Sequence, residues 1–352
     1  MNPESVNRRQ FLRQGLATAA AISPFASSLL SGAEQDPSIL GQGKHRYRMV
    51  KDWSFKRDGS AVEVHDCHEF VRTKSGNLIL CTTNTANNLI EFTSDGRVVQ
   101  TFGTTYPGIH GLSLSEENGE EFLWLTDTQR RIVVKLDRKG KEIMTLGWPK
   151  ESGKYEAENK FCPTETAVNP LNGDIYVADG YGSNYLMHYT AKGELKGAYR
   201  HEGFSCIHGV AFDHRDKANP KLLVTSRAAN KLFTLSLDGQ NLGHIDFPGA
   251  WICRPVIHGD HVYFAVINSG RLQWGDDYRG FVMVLDKNNK IVSLIGGQPP
   301  TAGAQGEAAL YRNIEPKPFL NCHDVCLDAE GNLFVAHWNS KRTHPFKLTP
   351  VA

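Results

Sequence analysis

The sequence predicts an all-β chain arranged as a six-bladed β-propeller. Three observations predict it. A unit of short strands recurs six times from about residue 60, with Gly, Asp and Asn turns between alternating apolar and polar residues. No stretch carries a 3.6-residue apolar period long enough for a packed helix. Strands in this number and spacing fit four-stranded blades, and radial repetition of blades protects sheet edges.

The copies follow in order. The first holds residues 68–71, 76–80 and 89–96, and the second 110–114, 122–127 and 132–137. The third holds 164–168, 173–179 and 185–189, and the fourth 208–212, 221–226 and 231–235. The fifth is looser, with 254–257, 261–266 and 281–286; the sixth has 323–327, 331–336 and 345–348. Insertions at 148–160 and 296–318 lengthen two of the intervals, and the second is too rich in Gly and Pro to hide a seventh blade. The last copy lacks a clear fourth strand. Residues 47–54 can supply it from the other end of the chain and close the ring.

The amino terminus reads as an address. Arg8-Arg9 followed by Phe11-Leu12, an Ala-rich apolar stretch over 16–30 and small residues at Ser31-Gly32-Ala33 match a twin-arginine-type signal peptide over 1–33. Such export carries proteins already folded, so folding and any cofactor uptake are expected in the cytoplasm, with a periplasmic or extracellular product. Residues 34–352 are expected to form one propeller domain, with no membrane span after signal removal, and a monomer.

The whole sequence of 352 residues carries 39 Lys and Arg against 38 Asp and Glu, a formal charge of +1. Removing residues 1–33 takes away three arginines and one glutamate, leaving −1. Neither value supports a nucleic-acid partner, which calls for a basic surplus. Cys67, Cys81, Cys162, Cys206, Cys253, Cys322 and Cys326 are an odd set, so at least one has no intramolecular partner, and the connectivity of any disulfides stays open.

Chemistry enters through histidine. His110, His208 and His323 lead the innermost strand of copies 2, 4 and 6. Equivalent positions of a propeller face one channel, so these three imidazoles should converge on the axis as a metal site with open positions, for which zinc is the favoured ion. His68 leads copy 1 and fits an extra ligand, a donor behind the ligands or a channel lining. The cysteines that precede several of these positions read as small buried residues and are left outside the site.

The motifs Gly108-Ile109-His110-Gly111-Leu112-Ser113, Phe161-Cys162-Pro163-Thr164, Tyr176-Val177-Ala178-Asp179-Gly180-Tyr181 and His208-Gly209-Val210-Ala211 carry a resemblance. So do Arg227 after Val224-Thr225-Ser226, Gly280-Phe281-Val282-Met283 and Cys322-His323-Asp324-Val325. Together they resemble the NHL-repeat propeller of peptidyl-α-hydroxyglycine α-amidating lyases, in order and over nearly the whole chain after the signal. The resemblance implies zinc on His110, His208 and His323, Tyr181 as a base or proton-transfer residue, and Arg227 as a binder of substrate carboxylate. It implies a structural Ca2+ at Asp324, shared with backbone carbonyls. The implied reaction breaks a carbinolamide C–N bond of a small or peptide-derived substrate, giving an amide and glyoxylate.

Departures from the family bear on substrate handling. Thr83-Asn84-Thr85 stands where the family carries a further catalytic arginine, and Gly182 where it carries the disulfide partner of Cys162. Two other readings compete. One is a non-catalytic propeller that binds a protein or glycan through the loops at 148–160 and 268–280, the latter with Arg271, Trp274 and Tyr278. The other is a lactonase-type hydrolase built on calcium, for which Glu165 is the only nearby acidic candidate.

Overall fold

A computed structural model describes residues 36–351 of the chain. The signal-like segment 1–33 lies outside the described residues. Six sheets stand around a channel. Blade 1 comprises Cys67–Arg72, Leu78–Thr82, Leu89–Phe92 and Val98–Phe102; blade 2 comprises Ile109–Glu117, Glu120–Asp127, Ile132–Leu136 and Glu142–Leu146. Blade 3 comprises Glu165–Val168, Ile175–Ala178, Leu186–Tyr189 and Leu195–Tyr199; blade 4 comprises Ile207–Asp213, Lys221–Ser226, Lys231–Leu235 and Asn241–Asp246. Blade 5 comprises Val256–His258, His261–Val266, Phe281–Leu285 and Ile291–Ile295. All neighbours within these blades are antiparallel.

Blade 6 joins both ends of the described chain. Cys322–Leu327, Leu333–His337 and Phe346–Pro350 are followed in the sheet by His45–Met49 and then Ile39–Gln42. Tyr47 pairs with Pro350 and Met49 with Leu348. The closing strand therefore sits earlier than the 47–54 read from the sequence, and a fifth strand is added outside it. The reason is a turn after Met49: Asp52 adopts a left-handed backbone (φ 54°), and Trp53 packs edge-on against Phe55 and Phe334 instead of continuing the strand.

The core lies between blades. Val71, Ile79, Cys81 and Leu89 of blade 1 meet Leu112, Leu123, Leu125 and Val134 of blade 2, and comparable clusters fill the other interfaces. This explains why the second strands are mostly apolar: Leu78–Thr82 and Leu333–His337 are buried on both faces. Outer strands such as Asn241–Asp246 are mostly exposed and polar. Each fully buried Leu, Val or Phe contributes about 1.5–3 kcal/mol.

The insertions form no further blade. Residues 148–160 hold two 3-10 turns, and 296–318 hold a two-stranded pair, Gly297–Gln298 with Arg312–Asn313, and one 3-10 turn. Among the described residues no helix is long and apolar enough to cross a membrane. All seven cysteines are free.

Candidate metal centre

A one-residue register shift repeats at the start of the innermost strands. In blade 4, Ile207 pairs with Ser226 and Gly209 with Thr225, which leaves His208 as the extra residue. Blade 6 repeats this around His323, between the pairs Cys322–His337 and Asp324–Ala336. In blades 1 and 2 the register also shifts across His68 and His110. A bulge of this kind bends the strand and re-aims the side chain it frees. Here it turns four imidazoles toward the axis.

Their ring centroids lie 4.7 Å (His68–His323), 4.8 Å (His68–His110, His110–His208, His110–His323) and 4.9 Å (His208–His323) apart. All four are buried. Burial, the largest cause, pushes the His110 imidazole down to about 3, and it holds the other three well below the usual histidine range. They are therefore neutral near pH 7, the form that ligates metals.

The backbone fixes two of the tautomers. His110 donates from Nδ1 to the carbonyl of Thr164 (2.9 Å), and His323 donates from Nδ1 to the carbonyl of His68 (3.1 Å). Each ring then presents an Nε2 lone pair, the usual way a backbone acceptor orients a ligating histidine. Nε2 of His110 lies 3.2 Å from Nε2 of His208, while Nδ1 of His68 and of His208 are buried without a partner. Converging imidazoles in a buried site, with two of their ring nitrogens left unsatisfied, fit a cation ligated among them. Two groups have all their ligand atoms within 4.8 Å of one another: His68 with His110 and His323, and His208 with Cys253 and His323.

These groups differ from the sequence reading, which places His110, His208 and His323 together as the ligand set. The structure brings all three to the cluster but adds His68 on equal terms and Cys253 beside His208. The sequence reading leaves Cys253 outside the site as a small buried residue, because the repeat there places Arg254 at the entry of blade 5. In the structure Ile252 bridges Val266 and Cys253 donates its N–H to Ala265, so Cys253 occupies the position of the histidines. Pro255 hides this, since it cannot donate to the ladder and shortens the strand to Val256–His258.

Tyr181 and Arg227 come from the loops after the second strands of blades 3 and 4. Asp179 holds the first loop by accepting the N–H groups of Cys162 and Ser183, each at 2.6 Å. At Gly182 a Cβ would stand 2.1 Å from Oδ1 of Asp179, so only glycine fits that turn. The Tyr181 ring is 43% exposed at the mouth, but its hydroxyl reaches inward to within 3.2 Å of Nε2 of His110. Burial pushes the phenol up to about 12, with Arg227 pulling the other way. Arg227 donates from Nη2 to the Tyr181 hydroxyl at 2.9 Å. Its Nε and Nη1 are buried without a partner.

One residue further along each inner strand lies a second ring of positions: Glu69, Gly111, Glu165, Gly209, Arg254 and Asp324. Glu165 is thus one of three buried carboxylates here rather than the only acidic candidate. Arg254 donates to both oxygens of Asp324 (2.9 and 2.8 Å), to the carbonyl of Leu112 (2.7 Å) and to the carbonyl of Phe70. Its Nη1 lies 3.4 Å from Glu69 and 3.7 Å from Glu165. Burial, then the charge of Glu165, holds the Glu69 carboxyl well above the usual range.

Fold and centre together define a six-bladed propeller with an axial imidazole cluster. In sequence the chain is similar to peptidyl-α-hydroxyglycine α-amidating lyase 1 of Drosophila melanogaster, 28% identical over 270 residues, or 67% of this chain and 44% of that protein. It is also similar to the peptidyl-glycine α-amidating monooxygenase of Mus musculus, 33% identical over 259 residues, or 68% of this chain and 23% of that protein. The chain thus spans less than half the length of these two relatives. Among solved structures, a gluconolactonase from Xanthomonas campestris superposes with a TM-score of 0.58 at 12% identity, over 89% of this chain and 95% of that one; this likeness shows the fold alone. No protein-family model matches the chain. The resemblance to the amidating-lyase propeller holds in both sequence and architecture.

Proposed function

We propose that the chain is an exported, metal-dependent lyase that cleaves the C–N bond of an α-hydroxyglycine-like substrate, a small or peptide-derived carbinolamide bearing a carboxylate. The observation that carries this reading is Arg227, a buried guanidinium with two unpaired N–H groups, bonded to Tyr181 beside four neutral imidazoles. No carboxylate among the described residues pairs with it, so the guanidinium, held by Tyr181 and neighboured by Cys253, keeps donors for a substrate carboxylate.

The residues divide the work as follows. Arg227 would bind the substrate carboxylate and so fix the carbinol carbon near the imidazoles. A divalent cation, zinc by the ligand set, would be held by His323 with His110, His208 and His68, and would polarise the substrate hydroxyl. The Tyr181 oxygen, in reach of both Arg227 and the cluster, would move the proton lost by that hydroxyl to the departing amide nitrogen. One proton leaves oxygen, one reaches nitrogen, and the C–N pair leaves with the amide, so amide and glyoxylate balance the substrate.

The relatives' names support the reaction class, and the twin-arginine-like start at Arg8-Arg9 supports export to the periplasm or beyond. The near-neutral charge gives no basic surplus for a nucleic-acid partner, in keeping with a small-molecule substrate. Incubating the zinc-loaded protein with α-hydroxyhippurate and assaying glyoxylate tests the proposal. Turnover absent from a His208→Ala control is expected; no turnover above that control sinks it.

A binding role has one observation in its favour. Trp274 (41% exposed) and Leu272 (62% exposed) stand on the 268–280 loop, with Trp274 edge-on to Trp251 and Trp338. Such an aromatic row suits a protein or glycan partner. Metal content well below one ion per chain, unchanged by replacing His110 and His323, would favour that role.

A further inference from the structure

The second ring of channel positions contains a cation of its own. We propose that the Arg254 guanidinium is a built-in replacement for an axial metal ion, filling an all-oxygen site so that the propeller closes without calcium. The inference is independent of the lyase reading, because it concerns a different layer of the channel and a different readout.

Consider the oxygens alone. Asp324, Glu69 and Glu165 bring carboxylates from blades 6, 1 and 3, and Phe70 and Leu112 bring carbonyls from blades 1 and 2. Carboxylates and carbonyls converging from several strands are the donor set of a hard cation. In this chain one side chain fills the middle of the site, leaving only Glu69 Oε1 and Glu165 Oε2 without a hydrogen bond. Arg254 grips Asp324 through Nε and Nη2, Leu112 through Nη1 and Phe70 through Nη2, and its charge faces Glu69 and Glu165. An ion at the 2.3–2.6 Å calcium distance from these oxygens would overlap the guanidinium nitrogens. The residues therefore do not fit the calcium that the family resemblance implies at Asp324.

The surroundings are shaped to admit the arginine. A Cβ at Gly209 would stand 2.3 Å from the Arg254 Cα and 2.5 Å from its Cβ. The far oxygen of Asp324 also accepts the Phe70 N–H at 2.8 Å, so the same carboxylate ties blades 5, 6 and 1 together. A guanidinium offers five fixed donors and stays charged at any working pH, so it can serve as a permanent interblade clamp.

Elemental analysis and thermal unfolding with and without excess Ca2+ test this, on protein kept zinc-loaded throughout. The full-length protein should carry far less than one calcium per chain, and Ca2+ should leave its melting temperature unchanged. Arg254→Ala removes the clamp and frees the oxygens; it should melt lower, and Ca2+ should bind it and raise its melting temperature again. Arg254→Lys, which keeps a charge and is the milder change, covers the case in which the alanine variant does not fold; it should melt lower than the parent and remain indifferent to Ca2+. One calcium per chain in the parent protein, or a calcium-dependent rise in its melting temperature, overturns the proposal.

Discussion

The Arg227 guanidinium donates a hydrogen bond to the Tyr181 hydroxyl over 2.9 Å, and that oxygen also lies 3.2 Å from Nε2 of His110. The pair links the mouth of the channel to the imidazole cluster. Arg227 also stacks above the Tyr181 ring, 5.4 Å from its centroid. Arginine and tyrosine are thus one unit: the cation orients the phenol and draws its pKa against the pull of burial.

From that unit a split in kinetic effects follows. Tyr181→Phe keeps the ring but removes the proton carrier, so kcat for glyoxylate release should fall about 10²-fold or more while metal content stays the same. Arg227→Lys keeps a charge but loses the fork, so KM should rise about tenfold or more, the factor that about 1.4 kcal/mol of lost carboxylate binding carries. Steady-state kinetics with α-hydroxyhippurate separate the two. Equal effects of both variants on KM alone would contradict the division of roles.

Metal binding should depend most on His323, because it belongs to both groups of closely spaced ligand atoms. His323→Ala should reduce bound zinc more than either His68→Ala or Cys253→Ala, each of which leaves the other group intact. Loaded protein should also unfold later than stripped protein, by about 4 kcal/mol of stability at a free metal concentration a thousandfold above Kd. Elemental analysis and calorimetry read both quantities. A His68→Ala loss equal to that of His323→Ala would mean that only one ligand group exists.

Much of this was legible in the residues. The period-2 strands and Gly or Asp turns carry the propeller, since apolar strands buried on both faces between blades leave a repeating signature. His110, His208 and His323 were legible for the same reason: equal places in a repeat become neighbours around an axis. Two things were hidden. Pro255 broke the pattern in blade 5, so Cys253 and Arg254 slipped by one position. The inner-strand bulges that turn the histidines inward depend on pairings to the second strand, which no local pattern encodes.

Acid should destabilise the protein through its buried neutral histidines, of which His337 lies outside the imidazole cluster. This ring is fully buried against Phe346, 4.4 Å between centroids, with no hydrogen-bond partner on either nitrogen. Burial lowers its pKa from 6.5 to about 3. The unfolded chain therefore binds a proton that the folded chain refuses, so stability is full above pH 6.5 and is lost as pH falls toward 3. At pH 5 the cost is about 2 kcal/mol relative to pH 7. His337→Leu should flatten that slope in urea unfolding; an unchanged pH dependence would show that this ring does not govern acid stability.

Gly209 offers a test of how tightly the channel is built. Its backbone lies where blade 4 passes Arg254, and a Cβ there would meet the Arg254 backbone at 2.3 Å, closer than any rotamer change could relieve. Gly111, one blade pair away, faces a similar wall, with a Cβ placed 2.5 Å from the Thr164 carbonyl. That carbonyl is the one that orients His110. Gly209→Ala should therefore cost about 1–3 kcal/mol by pushing Arg254 off Asp324. Gly111→Ala should cost a similar amount but also disturb the imidazoles by shifting the acceptor of His110. The comparison reads out as stability loss for both variants, with reduced zinc content for Gly111→Ala alone. Equal zinc content in the two variants would show that the Thr164 carbonyl does not position His110.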